Sequence, residues 1–326
     1  MPITIAQRQH AALSPYNENS SMLSRFIRII LLLQILGGAL LGWWLARQSG
    51  ASTSWLVPLM ALLLPVCATL LTVVTGAIKS RTPGANALWW RSVFQECRAC
   101  LRIFLLQLPW ANRAPLVKLA SATPPKQPVL LVHGYLCNHR VWDAMAESLQ
   151  RAGHPVLAVD MEPLFCSIDD YAPRIEQAVT ELCRQTGASQ VALVGHSMGG
   201  LAIRAWMRAC GTQRVAQVIT LGTPHRGTRI DRNPKTENGK QMLWHSDWLQ
   251  KLAASESAAT RSLIRIALTP QDNIVFPQRE QVLEGVPVTV FDGLGHLELS
   301  LNPVVITWVA RQLDKAVITI PETTGQ

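Results

Sequence analysis

Ser197, Asp272 and His296 are of the types that perform covalent acyl chemistry when a fold brings them together. Ser197 sits in Gly195-His-Ser-Met-Gly-Gly200, after the apolar run Val191–Val194 and before an amphipathic stretch, Leu201 to Arg208. Strand, tight turn and helix therefore meet at one serine, the pattern of a nucleophile elbow. Such a turn strains the serine backbone and needs small flanks, which Gly195, Gly199 and Gly200 supply. The helix that follows aims its first N–H groups at the same point.

A serine hydroxyl needs a base to take its proton and a third group to hold that base. Behind such an elbow the acid comes next along the chain and the histidine last. The histidines downstream are His225, His245 and His296. Only His296, in Gly293-Leu-Gly-His-Leu-Glu-Leu299, follows the last expected strand, at the carboxyl edge where sites of open sheets gather. Asp272 follows the strand before it; Glu298 and Asp292 are the weaker candidate acids. Two backbone N–H groups should face the developing oxyanion. Met198, next to the serine, offers one, and Tyr135 in Val132-His-Gly-Tyr135 the other, with Gly134 letting the loop turn and His133 bracing it.

The elements that position these residues alternate. Strands are expected at 129–132, 156–159, 191–194, 215–221, 263–268 and 286–291, with helices at 142–151, 172–186 and 302–315 between and after them. Short apolar strands alternating with helices predict a doubly wound, mostly parallel α/β sheet. Asn302 and Pro303 open the last helix as cap and first residue.

Upstream the chain changes character. Of 326 residues, 48 % are hydrophobic and only 16 % charged, and the apolar excess is concentrated near the start. Phe26–Ala46 and Trp55–Ile78 are each long enough to cross a bilayer, and a short polar link makes them a hairpin. Trp43, Trp44 and Trp55 gather at the link, as an interfacial aromatic belt would. Arg8 and Arg25 precede the hairpin, with Arg28 just inside its first span, and Lys79, Arg81, Arg91 and Arg98 follow it, against Arg47 alone in the link. That bias puts both ends, and the rest of the chain, in the cytoplasm. The net charge of +9 fits anionic lipid or membrane-flanking arginines better than nucleic acid, since no block of Lys and Arg of nucleic-acid type occurs. Seven cysteines without a regular framework fit a reducing compartment, and the lone Cys97-Arg-Ala-Cys100 has no second pair.

Residues 86–110 carry Arg91, Gln95, Arg98 and Arg102 as a polar stripe, with Trp89, Val93, Phe94, Leu101 and Phe104 off it. This reads as a helix at the membrane interface or as one packed on the domain. The expected organisation is a disordered tail (1–24), two transmembrane helices (25–80), an interfacial helix and linker (81–126), the α/β domain (127–316) with a cap at 228–262, and a tail (317–326). Met242, Leu243, Trp244, Trp248 and Leu249 make the cap apolar enough for acyl chains, and the catalytic core is expected wholly beyond Pro109.

Taken as a set, His133-Gly-Tyr135, Gly195–Gly200, Gly222-Thr-Pro-His-Arg-Gly-Thr228, Asp272 with Ile274-Val275, and Gly295-His296 resemble the α/β-hydrolase superfamily, and within it the bacterial lipases and esterases. The resemblance covers about residues 127–315. It implies Ser197 as nucleophile, His296 as base, Asp272 as orienter, an acyl-ester or lipid substrate, and no cofactor. No pair of Asp residues matches the structural calcium site of some such lipases, so no metal is expected. With the hairpin, it implies a two-span protein of the bacterial inner membrane, a feature typical secreted lipases lack. Acyl transfer or thioester cleavage by the same residues, or a non-catalytic membrane scaffold, are the alternatives. The sequence does not fix the oligomeric state.

Overall fold

The computed structural model describes residues 21–49, 54–84, 86–111, 117–119 and 125–316. Most of the expected N-terminal tail, the expected C-terminal tail and half of the hairpin link lie outside these residues.

Among the described residues the sheet has six strands, all parallel, in the order β2-β1-β3-β4-β5-β6. They are β1 (Val129–Val132), β2 (Val156–Val159), β3 (Val191–His196), β4 (Val215–Leu221), β5 (Ile264–Leu268) and β6 (Val288–Val290). Strands buried on both faces need continuous apolar runs, and β1 and β3 are buried along their whole length. The path moves from β1 outward to β2, then returns to β3 on the other side of β1. That reversal opens a crevice at the carboxyl ends of β1 and β3, where ligands of such sheets bind. Two apolar layers, one on each face, hold the sheet between its helices.

Helices α1 (Met22–Gln48), α2 (Leu56–Ser80) and α3 (Asn86–Leu101) precede the sheet, and a π-helical turn, Arg102–Gln107, continues α3. Helix α1 starts earlier than the apolar run predicts: residues 22–24, expected in the tail, are helical because the Ser21 hydroxyl accepts the Ser24 N–H as a cap. At their far ends α1 and α2 meet backbone to backbone. A side chain at Gly38 would lie 2.2 Å from the Met60 carbonyl, and one at Gly42 2.3 Å from that of Leu56. Small residues four apart permit this packing between helices in lipid.

The domain helices are α4 (Asp143–Arg151), α5 (Ala172–Thr186) and α6 (Met198–Cys210), then α7 (Glu237–Gln241), α8 (Asp247–Ala254) and α9 (Ala258–Ser262) in the expected cap. Last come α10 (Glu298–Leu301) and α11 (Pro303–Ala316), and the Asn302 side chain accepts the Val304 N–H at the start of α11.

The near ends of the hairpin are fastened to the sheet's carboxyl edge. The Ser24 hydroxyl donates to the Leu108 carbonyl, and buried Asn138, in the loop after β1, donates to both. At the other helix, Gln278 Nε2 donates to the carbonyls of Ser80 and Asp272, and Trp89 of α3 donates to the Ala77 carbonyl.

Candidate active site

Ser197 joins β3 to α6 at φ 54° and ψ −127°, a conformation that non-glycine residues avoid. Its N–H donates to the Leu221 carbonyl of β4, so the neighbouring strand holds the strained turn in place. Met198 is the first residue of α6, and its N–H is one of the helix-start donors without an intrahelical acceptor. The loop after β1 runs against this turn. A side chain at Gly134 would stand 2.7 Å from Ser197 Cβ and 3.3 Å from its Oγ, so only glycine lets the backbone of Gly134-Tyr135 approach the hydroxyl. His133 fixes that loop as expected: Nδ1 pairs with the Gly134 carbonyl, and Nε2 accepts the Met161 N–H. Burial lowers its pKa, in keeping with the neutral ring those bonds require.

Asp272 and His296 meet at the same edge. Asp272 Oδ2 accepts from His296 Nδ1 at 2.8 Å, while Oδ1 accepts the N–H groups of Ile274 and Val275 at 2.8 and 2.7 Å. The carboxylate is thus fixed before it orients the ring. Asn273 Oδ1 accepts the His296 N–H, and His196 Nε2 donates to the His296 carbonyl. Burial disfavours the charged imidazolium, but the Asp272 charge and hydrogen bond, with Glu96 beyond, outweigh it and raise the His296 pKa. His196 lacks such a partner, and burial pushes its pKa down to about 3.

The other candidates are engaged elsewhere. His225 is clamped between Thr220 and Arg204, and Arg204 makes a buried two-pronged pair with Glu256. His245 stacks on Trp244, Asp292 is exposed, and Glu298 accepts from the Gly295 N–H and from Asn302.

Glu96, on α3, was not singled out by the sequence. It is buried, accepts the N–H groups of Leu297 and Glu298 at 2.9 and 3.1 Å, and lies against the backbone of Gly295. A side chain at Gly295 would come within 2.3 Å of Glu96 Oε2, which accounts for the glycine before His296. Desolvation lifts the Glu96 carboxyl to about 7, against the pull of its two backbone donors and of His296. Only its place one residue off the arginine stripe hinted at an inward role.

Ser197 and His296 open into one apolar cavity of about 460 Å³. Two expectations are corrected by its walls. The core does not lie wholly beyond Pro109, because Glu96, Cys100 and Phe104 and parts of α1 and α2 line the cavity. The apolar residues of the cap do not line it. Leu249 is buried in one of the two apolar layers, Trp248 donates to Asp169, and Trp244 stacks on His245 and carries the Arg229 guanidinium over its ring. Helix α3 packs Trp89 and Val93 against Ala77 of α2 and turns Glu96, Ala99 and Cys100 to the domain, while Trp90, Phe94 and its arginines stay exposed as an aromatic outer face.

Residues 127–265 match the family model of the alpha/beta hydrolase fold. With the parallel sheet and the serine at its elbow, this domain has the α/β-hydrolase fold. Within that class it resembles lipases and esterases. It is 35 % identical over 143 residues to a triacylglycerol lipase of Burkholderia plantarii (39 % of each chain), and 38 % identical over 114 residues to one of Pseudarthrobacter phenanthrenivorans (32 % of this chain, 35 % of that one). The chain thus spans little more than a third of the length of these relatives. The mature Bacillus licheniformis lipase superposes with a TM-score of 0.53 at 16 % identity, covering 60 % of this chain and 95 % of that one, which is a likeness of fold.

Proposed function

We propose that this chain is a membrane-anchored serine ester hydrolase that cleaves acyl esters through an acyl-enzyme on Ser197. The observation that carries the reading is the Asp272–His296 bond of 2.8 Å in the cavity that also receives the strained Ser197. In the mechanism, His296 Nε2 takes the Ser197 proton as Oγ attacks the ester carbonyl, while Nδ1–H stays on Asp272, which stabilises the imidazolium. The N–H groups of Met198 and Tyr135 receive the oxyanion. The imidazolium returns its proton to the leaving alcohol, and a water activated by the same histidine releases the acid. The partial identity to triacylglycerol lipases supports the ester class.

Membrane anchoring is supported by the surface of the hairpin. Helices α1 and α2 are long and apolar enough to span, and only 11 % of each most apolar window is buried. A core helix of a soluble domain would be mostly covered. Leu33, Leu40, Leu62 and Leu71 instead face outward with more than half of their surface exposed. With positive flanks at both outer ends, the reading is a two-span inner-membrane protein with its domain in the cytoplasm.

The test is ester turnover by full-length Ser197→Ala. Loss of hydrolysis with an unchanged melting temperature is expected, and wild-type turnover would refute the assignment.

A further inference from the structure

The cavity's long wall belongs to the anchor. From Leu23 to Gln34 it follows one side of α1, and from Ala68 to Val73 it follows α2. From Phe26, where the apolar run begins, to Gln34 the helix rises about 12 Å, most of one half of a hydrocarbon core of about 30 Å. The cavity therefore reaches from Ser197 toward the bilayer midplane, through most of the depth of one leaflet. Its surface suits hydrocarbon. Phe26, Ile27, Ile30 and Leu31 present apolar groups. The hydroxyls of Thr69 and Thr72 donate to the carbonyls of Pro65 and Thr69 on their own helix, so these residues ask nothing polar of an occupant. The cavity is not sealed, since Phe26 and Ile30, two of its lining residues on α1, keep 42 % and 37 % of their surface exposed.

We propose that the two membrane helices form the acyl-chain site, and that the occupant is one chain of a bilayer lipid ester which enters laterally between α1 and α2 without leaving its leaflet. A bilayer lipid carries its ester at the polar boundary and its chain along the bilayer normal. Ser197 at the domain end and the cavity along the hairpin repeat that arrangement. The burial this offers the chain replaces lipid contacts rather than water, so the hairpin gives orientation of the ester at Ser197 more than it gives affinity. The inference rests on the hydrolase reading for its chemistry, and on the cavity alone for its occupant.

The experiment separates the two. Full-length Ser197→Ala, which cannot turn the lipid over, is placed in phosphatidylcholine nanodiscs containing a phosphatidylcholine with a diazirine on its acyl chain, and the photo-adducts are mapped by peptide mass spectrometry. Adducts on Cys100, Phe104 and Thr69, which line the cavity, are expected beside those on outward residues such as Leu33 and Leu40. Adducts confined to the outward residues would overturn the proposal, whatever the fate of hydrolysis. The second arm uses Ala68→Phe and the milder Thr69→Leu, both in the full chain and both checked for labelling of Ser197 by a small fluorophosphonate. Filling the cavity should lower the ratio of kcat/KM for p-nitrophenyl palmitate to that for the butyrate by roughly tenfold. An unchanged ratio in variants that still label would also overturn it. Inner-wall adducts in Ser197→Ala beside a wild-type protein that hydrolyses no ester would leave the lipid site standing and dismiss the hydrolase reading.

Discussion

Glu96→Gln probes how helix α3 governs His296. The carboxyl is buried among the backbone of residues 295–298 and titrates near 7 instead of at its ordinary 4.5. Between those values the folded protein holds a proton that the unfolded chain has released. Stability therefore falls as pH rises through the window from about 4.5 to about 7, and the loss amounts to roughly 3 kcal/mol. Glutamine cannot ionise, so this part of the pH dependence should vanish. For a domain of this size roughly 3 kcal/mol corresponds to a melting-temperature change of about 6–12 °C. The assay is thermal unfolding of full-length wild type and Glu96→Gln in one detergent, from pH 4.5 to 7.5. The difference between their curves cancels the other titrating groups. At low pH the variant should be the less stable, because its amide turns a donor toward one of the Leu297 and Glu298 N–H groups and leaves it without an acceptor, a cost of roughly 1–3 kcal/mol. Towards pH 7.5 the gap should narrow. Parallel curves would refute the argument. Kinetics give a second readout. The negative charge of Glu96 helps raise the His296 pKa, so the acid limb of kcat/KM should move to lower pH in the variant. A structural role alone would lower activity without moving the limb.

Asp272→Asn should cut kcat/KM by about 10⁴-fold, because the amide no longer holds the required tautomer of His296, and near-normal turnover would dismiss Asp272 as orienter. Residues 111–326 alone should lose palmitate-ester hydrolysis, since Glu96 and the hairpin walls are gone; full retention in that fragment would show that the anchor contributes nothing to the site. An alkaline-phosphatase fusion after Gln326 should be inactive and a fluorescent-protein fusion bright, and the reverse would place the domain outside the cytoplasm.

The sheet and the elbow were legible because their signals are local. Val191–Val194 followed by Gly-His-Ser-Met-Gly-Gly specifies strand, turn and helix within a dozen residues, and the structure extends the strand only to His196. His296 was separable from His225 and His245 by its place after the last strand. The residues that sequence reading misplaced act across long separations. Glu96 meets Leu297 some two hundred positions away, and no periodicity along α3 says that one carboxylate turns inward. The acyl patch was sought at Trp244 and Trp248 because composition marks a residue as apolar without saying which wall it joins. Both tryptophans satisfy a charged neighbour instead, Arg229 over Trp244 and Asp169 at the Trp248 indole. Length and apolarity mark the hairpin helices as candidates to span a membrane. That the hairpin's inner face lines the cavity beside Ser197 depends on how Ser24, Asn138 and Gln278 fasten it to the sheet.

The most direct test of the central claim is the site of fluorophosphonate attachment in the full-length protein, read by peptide mass spectrometry. The account predicts one adduct, on Ser197, strongly diminished in His296→Ala and absent from Ser197→Ala. An adduct on another residue, or undiminished labelling of Ser197→Ala, would contradict it.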